Sequence, residues 1–165
     1  MMKRVNKILS SREYHECLEH NSQREESRHF CGHPFEHLLT VARLTYLLLL
    51  EEGCPFITRE TAYAAGLLHD IGRWQEYDCG IDHALASAQL AGPILKKAGF
   101  SRAEVGLITR AIAQHRLKNF EQTHRSPLSS ALARADQYSR LCFICEARSD
   151  CRIQGRQPHR EELVY

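Results

Sequence analysis

Between Pro34 and Arg140, apolar residues recur every three or four positions, and no stretch alternates apolar and polar residues in the manner of a strand. This pattern limits the fold to helices packed on helices, an all-α class with one core. Phe35, Leu38, Leu39, Ala42, Leu44, Tyr46 and Leu49 mark a long helix that begins at Pro34 and is closed by Gly53 and Pro55. Thr58 can cap the next helix, which runs through Ala62, Ala65 and Leu68. Asp82 caps another, carrying Leu85, Ala88, Leu90 and Leu95 and ended by Gly99. Ser101 and Glu104 have capping-box spacing ahead of Val105, Ile108 and Ile112, a helix ending near His115. Ser126-Pro127 opens the last, through Leu128, Leu132 and Ala135 to about Arg140. Upstream, Ser10 to Glu13 also has capping-box spacing and predicts a short polar helix towards His20. Residues 21–28 are charged without an apolar period, so a loop or an exposed helical piece is expected. After Gly72, the stretch with Trp74, Tyr77, Asp78, Cys79 and Gly80 reads as a loop.

A chain of 165 residues can bury one good core, so a single domain is expected. A net charge of +2 and the lack of any Lys/Arg run argue against a nucleic-acid polymer as partner. Leu47 to Leu50 is followed at once by Glu51 and Glu52, too short an apolar run to cross a bilayer. Met1-Met2-Lys3-Arg4 leads into a polar segment and not the apolar heart of a secretion signal, so a cytoplasmic protein is expected. In that setting seven cysteines are thiols or metal ligands, not a disulfide framework. Ten histidines put metal chemistry first among the functions to weigh. Oligomeric state is left open.

The stretch Gly66-Leu67-Leu68-His69-Asp70-Ile71-Gly72 changes abruptly from apolar residues to an imidazole beside a carboxylate. One neutral nitrogen and one anionic oxygen suit a borderline divalent cation. Adjacent helical residues point about 100° apart, so the pair can flank one point only at a helix end or in a cleft between helices. Gly72 permits such an end. The plainer reading is a polar helix C-terminus with His69 at the negative end of the dipole. Other donors are available, however. His37 lies in the first turn of the long helix, His83 follows the Asp82 cap, and His115 ends its helix. Asp136 interrupts a face of Ala131, Leu132, Ala133 and Ala135, a costly place for a carboxylate unless paired or metal-bound. Arg134 and Arg140 offer it an ordinary salt bridge as the alternative.

The order of His37, Leu68-His69-Asp70-Ile71-Gly72, Asp82-His83-Ala84, Ile112-Ala113-Gln114-His115 and Ala135-Asp136-Gln137 resembles the HD-domain metal-dependent phosphohydrolase superfamily over roughly residues 30–140. The resemblance implies a helical bundle holding a divalent metal with His37, His69, Asp70 and Asp136. Members with two further histidines hold a second metal, and His83 and His115 match those positions. The pattern is similar to the two-metal branch, which includes diadenosine tetraphosphate hydrolases of the YqeK type. The implied activity is hydrolysis of a phosphoester or phosphoanhydride, in a nucleotide or another small phosphorylated compound, by a metal-activated hydroxide. Two cations about 3.5–4 Å apart, sharing Asp70, would supply it. The mixed imidazole and carboxylate donors suit Fe, Mn, Co, Ni or Zn better than Mg. Many relatives carry Lys immediately after the Ile-Gly turn, where this chain has Arg73. Arg73 is the candidate for phosphate contact beside the catalytic Asp70, with Arg116 and Lys118 as further candidates that can equally be surface charges. Trp74 and Tyr77 could stack on a base or serve as rim aromatics. The competing function is a non-catalytic metal- or nucleotide-binding module on the same fold.

A second signal lies beyond the helices. Cys142-Phe143-Ile144-Cys145 and then Cys151 fall within ten residues, in a tail (141–165) expected to pack on the 1–140 helical domain. Two thiolates in Cys-x-x-Cys spacing can grip one ion from a tight turn. Cys31 is the first choice for a fourth ligand, with His33 and His159 weaker. Zinc would make the site structural, while an iron–sulfur cluster could use the same residues. Alternatively these are plain reduced thiols, as Cys17, Cys54 and Cys79 are expected to be. A redox- or metal-responsive interaction protein working through this tail is the third functional reading.

Overall fold

The structure, a computed structural model, describes residues 1–117, 126–151, 163 and 165. Lys118 and His159 lie outside the described residues. Eight α-helices occur among those described: α1 (Lys3–Leu9), α2 (Arg12–Glu25), α3 (Phe35–Glu51), α4 (Arg59–Leu68), α5 (Arg73–Cys79), α6 (His83–Ala98), α7 (Arg102–Gln114) and α8 (Pro127–Tyr138). Two short 3₁₀ turns, Cys142–Ile144 and Glu146–Arg148, follow. No strand is found among the described residues.

The caps expected for α4, α6, α7 and α8 form. Thr58 accepts from the Thr61 N–H, Asp82 from those of Ala84 and Leu85, Ser101 from that of Glu104, and Ser126 from that of Ser129. At α7 the Glu104 side chain also bonds back to the Ser101 N–H, completing the capping box. At the N-terminus the structure corrects the sequence reading. Ser11, not Ser10, caps α2, and the helix continues past His20 to Glu25. Its buried side chains, Tyr14, Cys17 and Asn21, share one face. Asn21 is what keeps the helix going through charged sequence. Its amide donates to the Asp70 carbonyl (2.9 Å) and its side-chain oxygen accepts from the Trp74 N–H (2.8 Å). Helix α1 carries too few apolar residues to show a period, yet it buries Val5 and Ile8. Arg4 anchors it by pairing with Glu60 on α4 and Glu104 on α7.

Residues 73–79, expected to be a loop, form α5, ended by Gly80 in the left-handed conformation (φ 69°). Nothing on α5 is fully buried, so periodicity had no core face to record. Leu85 and Phe35, part of the apolar periods that mark their helices, stand 53% and 37% exposed.

Helix α4 lies at the centre, against α1, α3, α6, α7 and α8. Seven of its ten residues are buried, and four of those seven are Ala62, Ala64, Ala65 and Gly66. Small residues let the surrounding helices approach closely. A Cβ placed on Gly66 would lie 2.3 Å from the Ala42 Cα of α3, so the α3–α4 crossing needs glycine there. The C-terminal end of this central helix carries His69 and Asp70. No helix among the described residues is long and apolar enough to cross a membrane.

Candidate metal centre

Two helices end in the same way. His69 caps α4 and His115 caps α7. Each ring folds back over its own last turn, donating Nδ1–H to the carbonyl three residues earlier, that of Gly66 or Ile112, at 2.7 Å. A carbonyl can only accept, so Nδ1 carries a proton in both rings and Nε2 is aimed inward. His37 is fixed similarly. The Ser139 hydroxyl donates to the Asp136 carbonyl (2.7 Å), leaving its oxygen to accept from His37 Nδ1 (3.2 Å). The Glu76 carboxylate of α5 accepts from Nδ1 of His83 on α6. Four histidines on four helices are thus oriented by partners behind them.

Asp70 stands between them, 2% exposed. The chain breaks from helix at His69, so the adjacent imidazole and carboxylate reach a common interior point from different directions. Gly72 turns with an ordinary backbone (φ −95°), and what requires glycine there is the close approach of α6. A Cβ there would meet the Ser87 N at 2.5 Å, and its own N–H donates to Ser87 Oγ (2.9 Å). The two Asp70 oxygens face different neighbours. Oδ2 lies 3.2 Å from His69 Nε2 and 3.8 Å from His37 Nε2. Asp136 Oδ1 completes that side, 3.3 Å from His37 Nε2 and 3.7 Å from His69 Nε2. Oδ1 lies 3.1 Å from His83 Nε2 and 3.8 Å from His115 Nε2. The donor atoms of His37, His69, Asp70 and Asp136 all fall within 4.8 Å of one another, as do those of Asp70, His83 and His115.

The six residues singled out in the sequence as metal ligands therefore converge, in two groups that share one carboxylate. A divalent metal fits the chemistry of this cluster. His69 Nε2, Asp70 Oδ1 and His115 Nε2 are buried and have no hydrogen-bond partner, a costly arrangement unless a cation satisfies them. The charge state agrees. Burial pushes the Asp70 carboxyl up, but the His69 and His33 imidazoles beside it outweigh burial and hold it well below the usual carboxylate range. Burial likewise opposes a charge on His69, yet Asp70 and Asp136 raise it to about 10. His115 is pulled down to about 4 by burial and by His69. Without a bound cation, the two carboxylates at the centre hold a proton on His69, the positive charge that a metal would replace.

His33, treated in the sequence as a weak candidate for the cysteine clip, belongs here instead. It is 6% exposed, with Nε2 3.6 Å from Asp70 Oδ2. It heads a continuous row of imidazoles, His33–His37–His69–His115–His83, with ring centroids 5.3–5.6 Å apart. Its Nδ1–H donates to Glu25, which also accepts from the His33 backbone N–H (2.6 Å) and the Tyr77 hydroxyl (2.8 Å). The sequence reading missed Glu25, Asn21 and Glu76 altogether. Each acts from an element whose position depends on tertiary docking, and none falls at a telling spacing. The only available hint was His33 four residues before His37, and His33 lies outside the helix.

Burial pushes Glu25 up, and the donors from His33 and Tyr77 more than reverse it, holding the carboxyl below its ordinary range. A depressed carboxylate stabilises the fold fully above its unfolded pKa and loses that stabilisation as pH falls through the folded value. Glu25→Gln is therefore expected to cost about 1–3 kcal/mol at neutral pH. The gap from wild type should narrow as pH drops below about 4, measured by urea unfolding across pH.

Arg73 begins α5 beside this centre, donating to Glu76 (2.9 Å) and to the Tyr77 hydroxyl (3.1 Å) and lying against the His83 ring. Arg116 sits at the rim, within 3.4 Å of Glu76 and 3.3 Å of Asp82. Arg140 approaches from the opposite side, 3.1 Å from His37 Nε2 and 3.5 Å from Asp136 Oδ1. The Arg140 salt bridge considered for Asp136 thus exists alongside its histidine contacts. Trp74 packs on His20 of α2 (centroids 4.8 Å apart), and Tyr77 bonds to Glu25, so both aromatics dock α5 on α2.

An all-helical bundle with a His-Asp pair at the end of its central helix defines a class, and comparison with known proteins agrees. Residues 35–141 match the HD domain family model, and the chain belongs to that family of metal-dependent phosphohydrolases. An uncharacterized protein of Clostridium beijerinckii is 35% identical over 150 residues, covering 91% of this chain and 92% of its own. The crystal structure of a predicted HD superfamily hydrolase from an uncultured Thermotogales bacterium superposes with a TM-score of 0.63 at 25% identity. That match covers 84% of this chain and 72% of the other.

Proposed function

We propose that this chain hydrolyses a phosphoester or phosphoanhydride bond of a nucleotide or similar small phosphorylated compound, using two divalent transition-metal ions. The observation that carries the reading is the division of the Asp70 carboxylate between two histidine groups. His37, His69, Asp70 and Asp136 would hold one ion, and Asp70, His83 and His115 the other. Such a pair supplies, when bound, a water of lowered pKa and positive charge for the phosphate oxygens.

The chain's own residues do the rest. The Nδ1–H bonds of His69 and His115 to the carbonyls of Gly66 and Ile112 keep both Nε2 atoms aimed at the shared centre, where a bound cation would take the place of the His69 proton. Glu76 does the same for His83 and holds Arg73 beside it. Arg73 and the rim residue Arg116 are the cations placed to bind phosphate oxygens as charge builds on the leaving group. A dinucleoside polyphosphate, the substrate class of the YqeK-type enzymes that the sequence resembles, is the first compound to try.

The test is a panel of mononucleotides, dinucleoside polyphosphates, cyclic dinucleotides and generic phosphodiesters, incubated with protein loaded with Mn, Fe or Co. Turnover of one class is expected, lost with a chelator and in His69→Ala. Tight nucleotide binding with no turnover under any metal would contradict the reading in favour of a binding module.

A further inference from the structure

A second candidate site adjoins the helical centre without sharing its chemistry. A cleft of about 360 Å³ opens beside α3, and Cys31, Cys142 and Cys145 line it together with His37, Ser139 and Arg140. Cys142 and Cys145 span the 3₁₀ turn, closed by the Cys145 N–H donating to the Cys142 carbonyl (3.3 Å). Arg140 ties this wall to the opposite one, donating to the carbonyl of Gly32, the neighbour of Cys31, at 2.9 Å. Burial pushes the Cys142 thiol up, and the nearby thiols of Cys31, Cys145 and Cys151 push it further. Cys31, Cys142 and Cys145 thus line one cleft, and Cys151 lies close enough to act on the Cys142 thiol. All four are free and half-buried.

Apolar packing does little to hold this segment. Ala147 is the one buried residue in 139–151, while Leu141 and Ile144 stand 48% and 65% exposed. A segment so poor in core generally needs a staple.

We propose that Cys31, Cys142, Cys145 and Cys151 form a four-thiolate site for a thiophilic metal, zinc or iron, that fastens the tail to the loop ahead of α3. Four sulfur donors select zinc or an iron–sulfur cluster over the ions that suit the helical centre. The sulfurs are spaced more widely than the helical donors, with no three within 4.8 Å of one another. A single zinc ion would draw them in, whereas a cluster would span them. Binding zinc needs only that each thiol release its proton to solvent, and an iron–sulfur cluster would bring its inorganic sulfide with it, so affinity becomes folding free energy for the tail. Arg140 and Ser139, both in contact with His37, lie in the wall so fixed.

The test is independent of catalysis. Metal content is measured after anaerobic purification in Asp70→Ala, which disables the helical centre, and in the same protein with Cys142→Ser and Cys145→Ser added. The first is expected to hold about one zinc per chain, or iron with acid-labile sulfide and a brown colour, and the second to hold neither. Either metal supports the site and identifies its occupant. Equal metal in the two proteins overturns it. Should the serine variant fail to fold, alkylation of the wild-type chain decides instead. Four of the seven cysteines should resist modification until a strong chelator is added, and no effect of the chelator would overturn the proposal.

Discussion

Asp70→Ala is expected to abolish hydrolysis and to strip both ions from the helical centre at once. No other substitution among the described residues should do both. Asp70 alone presents an oxygen to each donor group, Oδ2 towards His37 and His69 and Oδ1 towards His83 and His115. Its loss also removes the charge that draws cations into a buried cluster, leaving Asp136 as the remaining carboxylate of the two groups. A loss of about a thousandfold or more in kcat/KM, about 4 kcal/mol of transition-state stabilisation, is the expected scale. His83→Ala provides the contrast. It removes one of three donors from the second group and none from the first, so one ion should remain. The comparison is made by metal analysis and single-substrate kinetics on both variants. Asp70 lies on a turn, outside helix interiors, so the variant should keep its far-UV circular dichroism.

Gly66→Ala should have the largest effect on stability. Alanine is normally the better helix former by about 1 kcal/mol, so propensity alone predicts a gain. Packing reverses the sign. The added Cβ would lie 2.3 Å from the Ala42 Cα, 2.5 Å from its N and 2.8 Å from its Cβ. The first two are backbone atoms, so no rotamer can relieve the clash and α3 has to move away from α4. Overpacking of this kind costs about 3 kcal/mol or more. Since Gly66 also accepts the His69 Nδ1–H bond, the shift should weaken metal binding as well. Equilibrium unfolding in urea with a parallel metal titration checks both. An unchanged midpoint would mean that the α3–α4 crossing is looser than described.

Much of this architecture was legible in the chain because local chemistry specifies it. Thr58, Asp82, Ser101 and Ser126 each have an oxygen that only a helix N-terminus uses, and each caps the helix expected of it. The metal candidates were legible because a carboxylate such as Asp136 and a histidine such as His115 stand out against apolar neighbours. What escaped were groups whose meaning lies in docking. Helix α5 has no buried face, so periodicity took it for a loop, though Asn21 and Glu25 of α2 hold it in place through Trp74 and Tyr77. His33 was drawn towards the cysteines by its sequence neighbour Cys31, while the fold turns its ring to Asp70. Glu76 carries no spacing signal, because its partner His83 lies across the α5–α6 turn.

The account rests on one carboxylate serving two ions. Anomalous scattering from crystals grown with manganese tests this most directly. Two peaks are expected, one among His37, His69 and Asp136 and one between His83 and His115, with Asp70 in contact with both. A single peak, or two peaks of which one lies out of reach of Asp70, would contradict it.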